Sequence, residues 1–140
     1  MNKKLNCILL VDDNEADNFF HELVIKELDC TRKVVSKVVG MSGIEYLKDI
    51  SSVDYVRPEL IFLDINMPAM NAWEFMDAFK DIPGELTKGI EVVILTTSLN
   101  PDDEQKAQSY PEISGFKIKP LTNEMLCEIV ERKVAASIHG

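Results

Sequence analysis

Four short stretches carry the side chains whose types and spacing could do chemistry: Asp12-Asp13, Asp64, Thr96 and Lys119. Asp64 ends the apolar run Leu60-Ile61-Phe62-Leu63 and precedes Ile65-Asn66-Met67-Pro68. A run of large apolar residues ending on a bare carboxylate reads as a buried strand that delivers one charge to the rim of a sheet. Carboxylates gathered at one rim raise each other's pKa unless a cation sits among them. Mg²⁺ removes that conflict, because it takes oxygen ligands and is commonly held by one or two carboxylates together with phosphate oxygens and water. A carboxylate can also act as a nucleophile and form an aspartyl phosphate, while a metal and an ammonium group neutralise the oxygens in transfer. In this reading Asp64, alone on the central strand, is the nucleophile and accepts a phosphoryl group. Asp12 and Asp13 are metal ligands, Thr96 donates its hydroxyl to a phosphate oxygen, and Lys119 is the ion-pairing cation.

Alternating strands and helices must position these groups. Residues 5–11 form a β-type apolar segment that stops at Asp12-Asp13-Asn14-Glu15. Ala16, Phe19, Phe20, Leu23 and Val24 follow at helical spacing, with Asn14 as N-cap and acids suited to the positive end of the helix dipole. Residues 33–39 supply a second strand, and Ser42-Gly43-Ile44-Glu45 has the form of a capping box opening a helix to about residue 50. Residues 59–64 are the third strand. Met67-Pro68-Ala69-Met70 then turns the chain into a helix with Ala72, Phe75, Met76 and Phe79 on one face. Residues 81–89, with Pro83 and two glycines, read as a loop. A fourth strand, 90–95, runs into Thr96-Thr97-Ser98, and Asn100-Pro101-Asp102-Asp103 starts a helix that should stop before Pro111. Residues 113–118 are the last strand, Lys119-Pro120 closes it, and Thr122 opens a final helix with Leu126, Ile129, Val130 and Val134 inward. Five strands alternating with five helices imply an α/β, doubly wound parallel sheet with right-handed crossovers and ligands outside the carboxyl ends of its strands.

The 140 residues are read as one domain, 1–140, with 46% hydrophobic and 28% charged residues. A net charge of −9 argues against nucleic acid and anionic membrane surfaces as partners. The apolar run at residues 7–11 is too short for a signal peptide or a membrane span, so the expected location is cytoplasmic. Cys7, Cys30 and Cys127 are too far apart for a zinc motif and read as buried thiols. His21 and His139 have no metal-type or triad-type companions and are expected to face solvent. Trp73 and the group Met67, Met70 and Met76 read as packing residues or the edge of a contact surface.

The stretches Leu10-Val11-Asp12-Asp13, Phe62-Leu63-Asp64-Ile65-Asn66-Met67-Pro68, Leu95-Thr96-Thr97-Ser98 and Lys119-Pro120 stand in the order found in response-regulator receiver domains of two-component signalling. The chain resembles that family over nearly its whole length. The resemblance implies a flavodoxin-like strand order 2-1-3-4-5 and phosphorylation of Asp64 by a histidine kinase or histidine phosphotransfer protein. It implies Mg²⁺ on Asp13, Asp64 and the Asn66 backbone carbonyl, with Asp12 contributing through water. It further implies a switch made by Thr96 and Phe116, a cis Lys119-Pro120 bond, and tuning of phosphoryl lifetime by Asn66 and Ser98. The signal would leave through the fourth helix, fifth strand and fifth helix. One departure stands out: Asn71-Ala72 replaces the family's usual Asp-Gly, which is costly if the turn needs positive φ at Ala72.

Two other functions compete. An aspartyl-phosphate phosphatase would use the same nucleophile but wants a second aspartate as acid/base two residues on, where Asn66 cannot shuttle a proton. A flavin or nucleotide binder on this fold would want glycines or hydroxyls in the first strand-to-helix turn, which here carries Asp12-Asp13-Asn14-Glu15 and repels phosphate. The expected protein is thus a phosphoacceptor module with self-catalysed transfer and slow self-dephosphorylation, which switches protein contacts or relays the phosphoryl group, and not a turnover enzyme.

Overall fold

The computed structural model describes residues 4–139. The strands β1 (Ile8–Val11), β2 (Val34–Lys37), β3 (Leu60–Asp64), β4 (Glu91–Thr96) and β5 (Ile113–Ile118) form one parallel sheet in the order β2-β1-β3-β4-β5. Helices α1 (Glu15–Leu28), α2 (Gly40–Lys48), α3 (Ala72–Asp81), α4 (Gly84–Thr87), α5 (Pro101–Gln108) and α6 (Asn123–His139) connect and follow them.

The central strands are apolar on both faces because helices cover both. Leu9, Val11, Ile61, Leu63, Val92 and Ile94 share one core with Phe75, Met76 and Phe79 of α3 and Ile44 and Leu47 of α2. Ile8, Leu10, Leu60, Phe62, Val93 and Leu95 point the other way, onto Ile25 of α1 and Leu126, Ile129 and Val130 of α6. Gly43 is needed where α2 approaches the sheet, since a Cβ there would lie 3.1 Å from both Val11 and Phe75 side chains. Thr122 starts α6 as expected, its Oγ1 accepting the Met125 N–H at 3.2 Å.

Several local expectations are corrected. Six helices occur among the described residues, not five: residues 81–89 contain the single turn α4, with Pro83 at its N-cap and Leu86 packed on the core. The capping box at Ser42 does not form, because α2 already begins at Gly40 behind Val39 and has no side-chain cap. On α1 most of the apolar stripe faces outward: Phe19 is 65% exposed, Phe20 46% and Leu23 50%, while Val24 packs on the core and the buried residues are Asn18, His21 and Ile25. His21 is therefore not solvent-facing but 3% exposed, and the side chain of His139 lies outside the described residues. Cys7 and Cys30 are buried, while Cys127 is only half-buried and lies 3.3 Å from a Glu131 carboxylate oxygen. The positive φ after Asp64 falls on Ala69, at 66°, rather than on Ala72, which is the first residue of α3.

Candidate functional site

The carboxyl ends of β1 and β3 are adjacent in register, Val11 opposite Leu63, which brings the carboxylates that follow them to one rim. Asp12, Asp13 and Asp64 each offer a carboxylate oxygen, and these atoms all lie within 4.8 Å of one another. Asp12 and Asp64 are buried, Asp13 is exposed. Asp12 is braced on both sides: its Oδ1 accepts the Asn14 N–H at 3.0 Å, and its backbone carbonyl accepts from Asn18 Nδ2 at 2.8 Å.

Lys119 reaches across from the end of β5. Its backbone N–H donates to the Thr96 carbonyl at 2.7 Å, and the Lys119-Pro120 peptide is cis. Its Nζ lies 2.7 Å from Asp12 Oδ2, 2.9 Å from Asp17 Oδ2 and 3.1 Å from Asp64 Oδ1. Asp17 was not singled out by its spacing; it looks like an ordinary first-turn acid, and only its place one helical turn beyond Asp13 marks it.

The electrostatics follow from burial and like charge. Desolvation first, then the Asp12 and Asp13 charges, push Asp64 up to about 6 against the pull of Lys119. Burial alone would lower Lys119, but hydrogen bonds to Asp12 and Asp17 and the charges of Asp12 and Asp64 outweigh it, so the ammonium is held above its ordinary value. Beneath the site, burial and then the Lys119 charge lower His21 below its ordinary value.

The cleft over these groups is lined by Asp12, Asp13, Asn14, Asp17, Asp64, Asn66, Thr97 and Lys119. Thr96 is at the end of β4 as expected, yet Thr97 and not Thr96 faces this cleft. Thr96 is buried, its Oγ1 donating to the Ser98 carbonyl at 3.1 Å and accepting the Ser98 N–H at 3.4 Å. Phe116 is half-buried beside the core and flanks a groove with Ala107 and Gln108 of α5. A larger groove at the β2 edge is lined by Lys33, Lys37, Glu45, Asp49 and Asp54, but among the described residues only Asp12, Asp13 and Asp64 bring their carboxylate oxygens close enough to share one ion; in that groove the Tyr46 hydroxyl anchors the backbone of Val56.

The donor set suits a hard divalent cation: three carboxylates, with Asn66 in the cleft wall and no cysteine, histidine or methionine in the lining. No helix among the described residues is long and apolar enough to cross a membrane.

No family model matches the chain. A probable methanogenesis regulatory protein, FilR2 of Methanothrix harundinacea, is 31% identical over 124 residues, covering 89% of this chain and 78% of that one. Response regulator Rcp1 of Synechocystis is 34% identical over 97 residues, covering 69% of this chain and 65% of Rcp1. The crystal structure of a two-component response regulator from Cytophaga hutchinsonii superposes with a TM-score of 0.85 at 28% identity, over 95% of this chain and 99% of that one. With the strand order, the acidic cluster and the cross-sheet lysine, these likenesses identify the chain as a member of the response-regulator receiver family of two-component signalling.

Proposed function

We propose that the protein accepts a phosphoryl group on Asp64 from a phosphohistidine donor and transmits the change through protein contacts. The observation that carries this reading is the convergence of Asp64 with Asp12, Asp13 and Lys119 at the carboxyl rim. An Asp64 carboxylate oxygen attacks phosphorus, the P–N bond breaks, and its electron pair stays on the imidazole of the donor. Lys119 neutralises a phosphoryl oxygen, and Asp13, Asp64 and the Asn66 carbonyl would hold Mg²⁺, with Asp12 contributing through water. When bound, that cation supplies positive charge to the phosphoryl oxygens. The hydroxyl of Thr96 must leave Ser98 to meet the phosphoryl group, and the space it vacates favours inward movement of Phe116, which shifts an existing two-state equilibrium.

A histidine kinase or histidine phosphotransfer protein would present the phosphohistidine. The outward stripe Ala16, Phe19, Phe20 and Leu23 begins one turn from the metal-binding aspartates and offers that donor an apolar contact beside the site. Signalling is favoured over turnover hydrolysis because residue 66 is an asparagine, which cannot serve as acid/base.

The test is incubation with phosphoramidate and Mg²⁺ followed by intact mass. One added phosphoryl group is expected, absent in Asp64→Asn and absent without a divalent cation; a gain of mass retained in Asp64→Asn would place the acceptor elsewhere.

A further inference from the structure

Lys119 is the one basic group in the cleft, and how it is held decides where positive charge meets the incoming phosphoryl group. An ammonium has three N–H donors. Here each has a carboxylate within reach: Asp12 at 2.7 Å, Asp17 at 2.9 Å and Asp64 at 3.1 Å. Two of those partners, Asp12 and Asp64, belong to the three-carboxylate cluster, and Asp17 does not. A cation in the cluster draws on the charge of Asp12 and Asp64, which leaves Asp17 as the partner whose charge is undivided.

Asp17 is built to keep that role. It sits in the first turn of a 14-residue helix, its backbone N–H donating to Asn14 Oδ1 at 3.1 Å, so its position is set by α1 and not by the loops around Asp64. Its side chain is 34% exposed, against 7% for Asp12 and 11% for Asp64, so it grips the ammonium from the open side of the cleft.

We infer that Asp17 is a positioning residue: it holds the Lys119 ammonium at the mouth of the cleft when the other two carboxylates are engaged in phosphoryl transfer. This rests on the reading of Asp64 as the phosphoacceptor. A carboxylate that merely withheld the lysine, or repelled the dianion, would act in the opposite sense, and its removal would speed the reaction.

The experiment measures the initial rate of phosphoryl accumulation on the full chain, with phosphoramidate and saturating Mg²⁺, for wild type, Asp17→Asn, Asp17→Ala, Lys119→Ala and the double variant. Asp17→Ala is expected to be roughly tenfold slower than wild type, with Asp17→Asn between them, since misplacing a catalytic group costs this much or more. In the Lys119→Ala background the Asp17→Ala change should have an effect of less than about twofold, because the two residues act as one unit. Mg²⁺ binding by calorimetry on the unphosphorylated protein should change less than the rate does, which separates a misplaced lysine from a lost metal. Urea midpoints identify any variant that fails to fold, and Asp17→Asn, which keeps the shape of the side chain, then carries the test. A rate equal to or above wild type, or an equal slowing with and without Lys119, would overturn the inference while leaving Asp64 phosphorylation intact. If wild type itself gains no phosphoryl group, both readings fall.

Discussion

Helices α1 and α3 both leave the carboxyl rim behind an asparagine, and in both the side-chain oxygen of that residue accepts a backbone N–H from the acid three positions on: Asn14 from Asp17, Asn71 from Glu74. From that shared start they diverge. Glu74 Oε1 turns back to accept the Asn71 N–H at 3.0 Å and completes a capping box, whereas Asp17 points its carboxylate at Lys119. The faces diverge as well. α3 buries Ala72, Phe75, Met76 and Phe79, while α1 buries Asn18 and His21 and shows Phe19, Phe20 and Leu23 to solvent. The same cap and the same 3.6-residue period therefore serve a structural helix and a functional one. The first turns of α1 direct Asn18 and His21 inward, with Asn18 bracing the Asp12 carbonyl, before Ile25 joins the core, and Phe19, Phe20 and Leu23 stay exposed.

The largest test of this contrast is stability. Phe75→Ala should lower the unfolding free energy by about 3–5 kcal/mol, as for a fully buried aromatic. Phe19→Ala should stay within about 0.5 kcal/mol in the same urea titration, and should slow transfer from a phosphohistidine protein without slowing transfer from phosphoramidate. Equal losses of stability at the two positions would mean that the outward face of α1 is misassigned.

The acidic rim beside α1 has its own signature. Asp64 rises from 3.8 to about 6 on folding without metal, so between these values the native state binds more protons than the unfolded chain. Stability of the metal-free protein should then fall as pH rises through that window, by at most roughly 3 kcal/mol. Asp64→Asn should flatten that stretch of the pH–stability curve. Added Mg²⁺ should reverse the loss above pH 6, and its apparent affinity should weaken below pH 6, where protons compete for the same oxygens.

A smaller effect separates the two turns that lead into the helices. The turn into α3 carries Ala69 at φ 66°, while Asn14 ahead of α1 is extended at φ −90°. Ala69→Gly should raise the unfolding free energy by about 1 kcal/mol, relief of left-handed strain being partly offset by a looser unfolded chain. A loss of stability would show that this turn relaxes when probed in solution.

The order of strands and helices was legible because buried parallel strands leave unmistakable apolar runs and their ends carry polar punctuation. Residues 60–64 and 91–96 are plain examples. The inward face of α3 could be read from Phe75, Met76 and Phe79. The face of α1 could not, because periodicity gives an axis of amphipathy and not its direction, which here is set by the need for Asn18 to reach the Asp12 carbonyl. Asp17 was hidden for a related reason: a first-turn acid satisfies the helix dipole whether or not a lysine from 102 positions away arrives beside it. The family's usual glycine points to a left-handed residue at Ala72, but Asn71 caps α3 so that Ala72 is already helical and the left-handed residue is Ala69, three positions earlier. Thr96 and Thr97 were placed correctly along the chain, while which hydroxyl faces the cleft depends on the Ser98 backbone that ties Thr96 down.

Trp73 is the chain's single tryptophan, and its ring lies stacked on Tyr110 at 6.0 Å with Lys106 of α5 near its other reach at 5.9 Å. One indole thus spans the seam between α3, which follows β3, and the segment leading into β5. Its emission is a label-free gauge of that seam: any sliding of α5 alters the stacking and the nearby ammonium, and the protein reports its own rearrangement in a stopped-flow fluorimeter.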